Sequence, residues 1–227
     1  MPKETQPGTR RTPGRRARLS RAQVLEAAMA LADEGGLQAV TMQSIAQRLE
    51  AEAMSLYRHV RNKDEILDGL VDLVFSQIEV PPPGTGWTTA MRQRSISARR
   101  VLAQHPWAIG LLESASRPGP ANLHHHDAVL GLLADAGFSS LEATHAYNLL
   151  DSYIYGFALQ ERTLPVASPE TLAEFGEAFI QQLPGDEYPH LSRVGAELVA
   201  AGFDYAGEFE FGLDLIIDGL ARRRAGA

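Results

Sequence analysis

The 227-residue chain has no cysteine, which excludes both a disulfide framework and a thiolate metal site. No apolar run approaches the roughly 20 residues that a bilayer span requires, and the basic N-terminus leads into no signal-type apolar segment. The expectation is a cytoplasmic protein with no membrane partner. Apolar and polar residues never alternate long enough to make a strand, and no internal repeat is visible. Also missing are a nucleophile elbow, a paired His-x-x-x-His set and a phosphate loop, so nothing supports an enzyme. What remains is helical sequence broken by Gly and Pro, with 44% apolar residues to build one small and one larger core.

Positive charge is scarce past residue 62. Residues 1–62 hold ten Lys/Arg against six Asp/Glu, whereas residues 63–227 hold eleven against twenty-two, so a net charge of −7 divides into a basic end and an acidic remainder. A basic end is what a phosphate backbone attracts, and an acidic remainder suits a solvated regulatory domain. The first 18 residues carry Arg10, Arg11, Arg15, Arg16 and Arg18 among Pro, Gly and Thr. With so little to bury they are expected to be disordered, serving either as an arm along DNA or as a solubilising tail.

The densest signal lies in TMQSIAQRLEAEAMSLYRHVRNK, residues 41–63. Thr41 is a candidate N-cap, and Ile45, Ala46 and Leu49 share one helical face. After a break at residues 50–53, a second short run over residues 54–60 puts Leu56 and Val60 on one side. Two helices so tightly joined form a helix-turn-helix, and the outer face of the second is left for a DNA major groove. Ala53, Met54 and Ser55, with Glu52 and the upstream Thr41 and Gln43, are the candidates facing DNA. A small hydroxyl can donate or accept there, and an apolar group can meet a thymine methyl. Tyr57, His59 and Lys63 are assigned to phosphate, with packing as the alternative for Tyr57, and Arg58 can do either. Asn62 caps the next helix, with Glu65 three residues on.

T-x-x-x-I-A-x-x-L followed by S-L-Y-R-H-V-x-N-K-D resembles the DNA-binding domain of the TetR family of bacterial transcriptional repressors, over residues 19–73. The resemblance implies an all-α protein. It would have an N-terminal three-helix DNA-binding domain at residues 19–65, behind the arm of residues 1–18, and a larger helical ligand-binding and dimerisation domain at residues 66–227. It also implies a homodimer on a palindromic double-stranded operator, released by a small-molecule inducer, with an activator or a ligand-independent regulator as the alternative. Upstream, Ser20 and Gln23 form a capping box and Gly35-Gly36 ends the first helix. Two positions depart from the pattern. Glu52, near the start of the second helix, suits the helix dipole but would face DNA phosphates unless it accepts from a cytosine amine. Acids do occur there in the family, so only the other is odd. Glu50 stands where most members have the turn glycine, and a left-handed non-glycine residue costs on the order of 1 kcal/mol.

A helix from Lys63 to about Glu79 ends at Pro81-Pro82-Pro83-Gly84. Further helices are expected near residues 89–104, 107–114, 122–136, 140–162, 170–182, 191–201 and 204–224. FEFGLDLIIDGL, residues 209–220, and the segment 137–160 resemble the last long helices of the tetracycline repressor branch, which pair with their copies in a four-helix bundle. Phe211, Leu215, Ile216 and Leu220 are the dimerisation candidates, with the chain's own core as the alternative. Members of that branch that bind magnesium-tetracycline use a His in the short helix after the His105 region. Residues 106–117 have none, and Gln160 replaces a helper Glu. The expected ligand is therefore a different, largely apolar molecule, and no metal or other cofactor is expected. A pocket within residues 63–162 would draw on His105, Trp107, Asn148, Asp151, Tyr155 and Gln160. Among these, Asp151 lies in an apolar helix and must reach solvent or a partner. His124-His125-His126 cannot converge on one ion, because consecutive helical residues point about 100° apart, and the reading is a solvated helix start.

Overall fold

The computed structural model describes residues 19–112, 117–163, 169–202 and 205–225, and every regular element among them is helical. The first three helices, α1 (Arg21–Gly35), α2 (Met42–Arg48) and α3 (Ala53–Leu56), form a small head. Its core is wholly apolar: Val24, Ala28, Ile45, Ala46, Leu56 and Val60 are almost completely buried. Helices α1 and α2 start where a side chain can take up a free backbone N–H, whereas Glu52 makes no such bond at the start of α3. Ser20 and Gln23 form the expected reciprocal box on α1, and Thr41 forms a second one with Ser44 on α2. Gly36, at φ 72°, ends α1 with its N–H on the Ala32 carbonyl.

The turn after α2 is a Schellman motif. The N–H of Ala51 reaches the Ala46 carbonyl at 2.9 Å, and that of Glu50 reaches Gln47 at 3.2 Å. Glu50 occupies the left-handed position with φ 49°, the only non-glycine residue described that does so. The strained turn expected from the sequence is present.

Helix α4 (Lys63–Gln77) leaves the head, capped by the Asn62 side chain on the Glu65 N–H at 2.9 Å. The Glu65 carboxylate does not return to Asn62 but accepts from the Arg61 N–H, also at 2.9 Å. α4 then packs on α5 (Trp87–Gln104) and α7 (Pro120–Asp135), with a 3-10 turn at Pro106–Ala108 and a short α6 (Ile109–Leu112) between them. Asp72 of α4 fastens the start of α7 by accepting from the Asn122 N–H at 2.9 Å. Gly119 is required there, because a Cβ would come within 2.4 Å of that carboxylate. The expected helix at residues 107–114 is in fact the 3-10 turn plus α6, and its last residues lie outside those described.

The longest helix, α8 (Ser140–Thr163), lies across α5 and α7, and α11 (Tyr205–Ala225) covers α5 and α8. Gly212 lets the α11 backbone reach Tyr153, whose hydroxyl donates to the Phe209 carbonyl at 3.0 Å. Arg99 of α5 joins the three helices. It makes bonds of 2.6 and 3.0 Å to Glu161, and its guanidinium lies 5.0 Å from the ring centre of Phe157 and 5.1 Å from that of Phe209. α9 (Pro169–Gln182) and α10 (Pro189–Ala201) pack on each other through Gly176 and Gly195.

Candidate DNA-reading face and regulatory core

Leu56 and Val60 are 0% and 2% exposed, which turns the rest of the second helical run outward. Met54 is 75% exposed and Tyr57 48%; Glu52 and Arg58 are exposed, while Ala53, Ser55 and His59 are partly covered. The α-helical part is only Ala53–Leu56. The chain closes to Val60 by tighter turns, with the His59 and Val60 N–H groups both on the Leu56 carbonyl. The run expected over residues 54–60 is therefore one helical turn and a tightening, not a uniform helix.

The Ser55 hydroxyl donates to the Glu52 carbonyl at 2.6 Å, which leaves its lone pairs available to a partner. Thr41 is committed to its capping box, while Gln43 is exposed one residue into α2. Lys63 is exposed, with its ammonium 3.4 Å from the Leu37 carbonyl. Arg15, Arg16 and Arg18 lie outside the described residues.

The six expected ligand residues are distributed over three places. His105 and Trp107 meet at the junction with the head. Their ring nitrogens lie 2.7 and 2.6 Å from the same carboxylate oxygen of Asp33, at the end of α1. The other His105 nitrogen lies 3.2 Å from the Gln77 amide oxygen of α4. The Asp33 carboxylate thus joins α1 to the corner after α5, and His105 carries the link on to α4. Asn148 and Gln160 are exposed on the outer side of α8, close to the exposed Leu149 and Leu159.

Asp151 and Tyr155 remain, and they belong to a buried polar cluster. Asp151 pairs at 2.6 Å with Arg94 of α5, which is only 1% exposed, and accepts from the Tyr155 hydroxyl at 3.2 Å. Arg94 Nε donates to His125 Nε2 of α7 at 3.4 Å, and the guanidinium carbon lies 5.2 Å from the Tyr147 ring centre. Burial, then the neighbouring Arg94, lowers the His125 pKa from 6.5 to about 3, so its imidazole is neutral. Burial and the Asp151 carboxylate raise the Tyr147 pKa, so that hydroxyl is a donor. His126 lies partly buried between Asn122 and Tyr147.

The solvated helix start expected at residues 124–126 is thereby corrected. His124 is exposed, but His125 is 3% exposed against Phe75. The burial of Arg94 and His125 was missed, although a signal was there. Arg94 continues the stripe Ala90, Met91, Ala98, Val101 on α5, and His125 precedes Val129 and Leu132 at helical spacing on α7.

The profile of bacterial regulatory proteins of the tetR family matches residues 24–70, and that of the tetracyclin repressor-like C-terminal domain matches residues 80–224. The transposon 1721 class A tetracycline repressor protein of Escherichia coli is 31% identical over 88% of this chain and 90% of its own. The HTH-type transcriptional repressor DrrR1 of Streptomyces coeruleorubidus is 30% identical over 94% and 81%. Among solved structures, ActR of Streptomyces coelicolor in complex with actinorhodin superposes with a TM-score of 0.73 at 28% identity, covering 91% of this chain and 98% of that one.

Proposed function

The chain belongs to the tetR family of bacterial regulatory proteins and is a ligand-responsive transcriptional repressor, and we propose that it reads its operator through Ala53, Met54 and Ser55. Tyr57, His59 and Lys63 hold phosphates beside them and Arg58 serves either a base edge or a phosphate, with Thr41, Gln43 and Glu52 at the margin of the same face. Arg15, Arg16 and Arg18 supply an arm. The observation that carries this reading is the division of the run after Glu52. Leu56 and Val60 are sealed into the head, while Met54 and Tyr57 are held out on a backbone fixed at both ends. The unit borders at residues 18/19 and 65/66 go with the same reading, the second falling inside the continuous α4.

A palindromic operator matches a two-fold homodimer. The outer sides of α8 and α11 support one, since Leu149, Leu159, Phe211 and Leu215 are all exposed on a single chain. Ile216 and Leu220 pack mainly on the chain's own core and contribute from the edge of that face. The small-molecule ligand acts on the regulatory helices. ActR, crystallised with actinorhodin and with (S)-DNPA, supports that placement. Asp151 and Tyr155 sit within those helices. His105 and Trp107 transmit from them to the head through Asp33, and Asn148 and Gln160 lie toward the dimer face. Movement of α4, held by Asp72 at α7 and by Gln77 at His105, would change the spacing of two recognition runs.

Fluorescence anisotropy on the native upstream duplex and on a scrambled one, across a salt series, tests the reading. Preferential binding that weakens steeply with salt is expected, and Lys63→Ala should reduce the salt slope by about one. Equal weak binding to both duplexes would refute the assigned face.

A further inference from the structure

Beside the reading face, Glu65 holds two arginines that none of the assigned DNA contacts includes. Its Oε1 lies 3.5 Å from Arg21 Nε of α1 and its Oε2 lies 3.4 Å from Arg61 Nε, while Oε2 also accepts from the Arg61 N–H at 2.9 Å. That N–H above all lowers the Glu65 pKa below its ordinary 4.5, with the two guanidiniums adding to it against the effect of burial. The carboxylate is therefore charged at neutral pH, and it ties the start of α1 to the first turn of α4.

One carboxylate cannot neutralise two guanidiniums. Each arginine turns its Nε to Glu65, which leaves the four hydrogens of its Nη atoms for other acceptors. The side chains of Arg21 and Arg61 are 51% and 84% exposed. Arg61 falls between His59 and Lys63, and Arg21 stands where the arginines of residues 10–18 lead into α1, so both adjoin segments assigned to phosphate. Further along α4 the charge reverses. Asp64, Asp68 and Asp72 recur every fourth residue and, with Arg117 across from them, line the same cleft of about 450 Å³ as Arg21 and Arg61. A polyanion is thus attracted at the first turn of α4 and repelled beyond it.

We propose that Glu65 is a positioning residue for operator binding, presenting Arg21 and Arg61 as a paired clamp on the DNA phosphate backbone beside the recognition run. This rests on the operator-reading role proposed above and adds to it two phosphate ligands and the carboxylate that orders them. Its signature is a sign. Glu65→Gln keeps an acceptor for the Arg61 N–H but removes a negative charge near DNA, which on charge alone strengthens binding. Where the carboxylate orders two long side chains in advance, its loss makes binding bear their rotamer entropy, and binding weakens.

The test is fluorescence anisotropy of the full chain on the upstream duplex and its scrambled counterpart across a salt series. Arg21→Ala and Arg61→Ala should each reduce the slope of log affinity against log salt by about one per chain, equally on both duplexes, because phosphate contacts carry no sequence. Glu65→Gln should weaken binding several-fold, whereas Glu34→Gln, which releases Arg48 with the same change of charge, should not. In the Glu65→Gln background, Arg61→Ala should cost less than in the parent. Exposed pairs contribute little to stability, so every variant should melt with the parent. An unchanged slope in either arginine variant, a Glu65→Gln chain that binds as tightly as the parent or more tightly, or equal weakening by Glu34→Gln would each overturn the proposal. A parent that prefers the upstream duplex while one of these outcomes is found refutes only the clamp; a parent that binds neither duplex refutes the operator reading with it.

Discussion

The head and the regulatory domain bury different things. The head closes over an apolar core and keeps its polar side chains at the rim, where Ser20, Thr41 and Asn62 cap helices. The regulatory domain takes polar groups inside. Arg94, Ser95, Ser97, His105 and His125 are the buried polar residues described, and all follow α4. A reading head needs only to be rigid and correctly presented, which apolar packing and caps achieve. A domain that must respond to a ligand needs interior groups whose partners can change, and only buried polar groups with discrete partners supply that.

The sharpest way to break the contrast is at Arg94. Arg94→Met alone strands Asp151 in the interior and should cost about 3–5 kcal/mol, whereas pairing it with Asp151→Leu should recover most of the loss. Denaturant melts of both variants check this. If the single change cost no more than the pair, the ion pair would not be buried as described. Nothing comparable is available in the head, where surface pairs such as Arg48–Glu34 should be worth well under 1 kcal/mol.

His125 turns the same difference into a pH dependence. Its pKa is about 3 in the folded chain against an ordinary 6.5, so the unfolded chain binds more protons between those values. Stability is therefore retained above pH 6.5 and lost as pH falls, by about 2 kcal/mol at roughly pH 5. Glu65 and Glu142, whose pKa values are lowered from 4.5, add to the loss only below that value, so the upper window belongs to His125. Melting curves between neutrality and pH 5 should flatten in His125→Phe; an unchanged slope would contradict a neutral buried ring.

Asp33 is where the two regions meet, and Asp33→Ala removes the shared acceptor of His105 and Trp107. Two donors are left unmet at the junction, with an expected cost of about 2–3 kcal/mol. The informative readout is cooperativity. Calorimetry should resolve one transition into two if this carboxylate ties head to regulatory domain, and a single transition at an unchanged temperature would show that α4 alone suffices.

How legible each part was in the sequence follows from the same contrast. Caps, the Gly36 stop and the Leu56/Val60 face are set by residues within a few positions of one another, and the sequence spacing carried them. The Arg94–Asp151 pair joins residues on α5 and α8, and Asp33 reaches His105 and Trp107 from α1. Spacing along one helix cannot show which other helix a side chain meets. Asp151 could be marked as needing a partner, but the partner could not be named. His105 and Trp107 were grouped with Asp151 for being polar or aromatic in the right half, and the fold separates them. The four residues assigned to dimerisation divide on α11: Phe211 and Leu215 are exposed, Ile216 and Leu220 are partly buried against the core, and Phe209, Leu213 and Ile217 form the inner face.

The smallest effect lies in the head, at the one position where local rules and sequence disagree. Glu50 supplies the left-handed residue of the Schellman turn, with φ 49°, although glycine adopts that conformation without a Cβ penalty. The two backbone bonds that define the turn do not depend on its side chain, so Glu50→Gly keeps both. Strain relief of about 1 kcal/mol competes with the greater chain entropy of glycine in the unfolded state, about half that or somewhat more. The net gain should be a few tenths of a kcal/mol, visible as a rise of a degree or two in Tm. Operator affinity should rise further than stability does, because the change also removes a negative charge beside the phosphates that flank the reading face. The two gains separate by salt. At high ionic strength the affinity increment should shrink while the Tm increment persists. A variant less stable than the parent would mean that the Glu50 side chain contributes more to the turn than the backbone strain takes away.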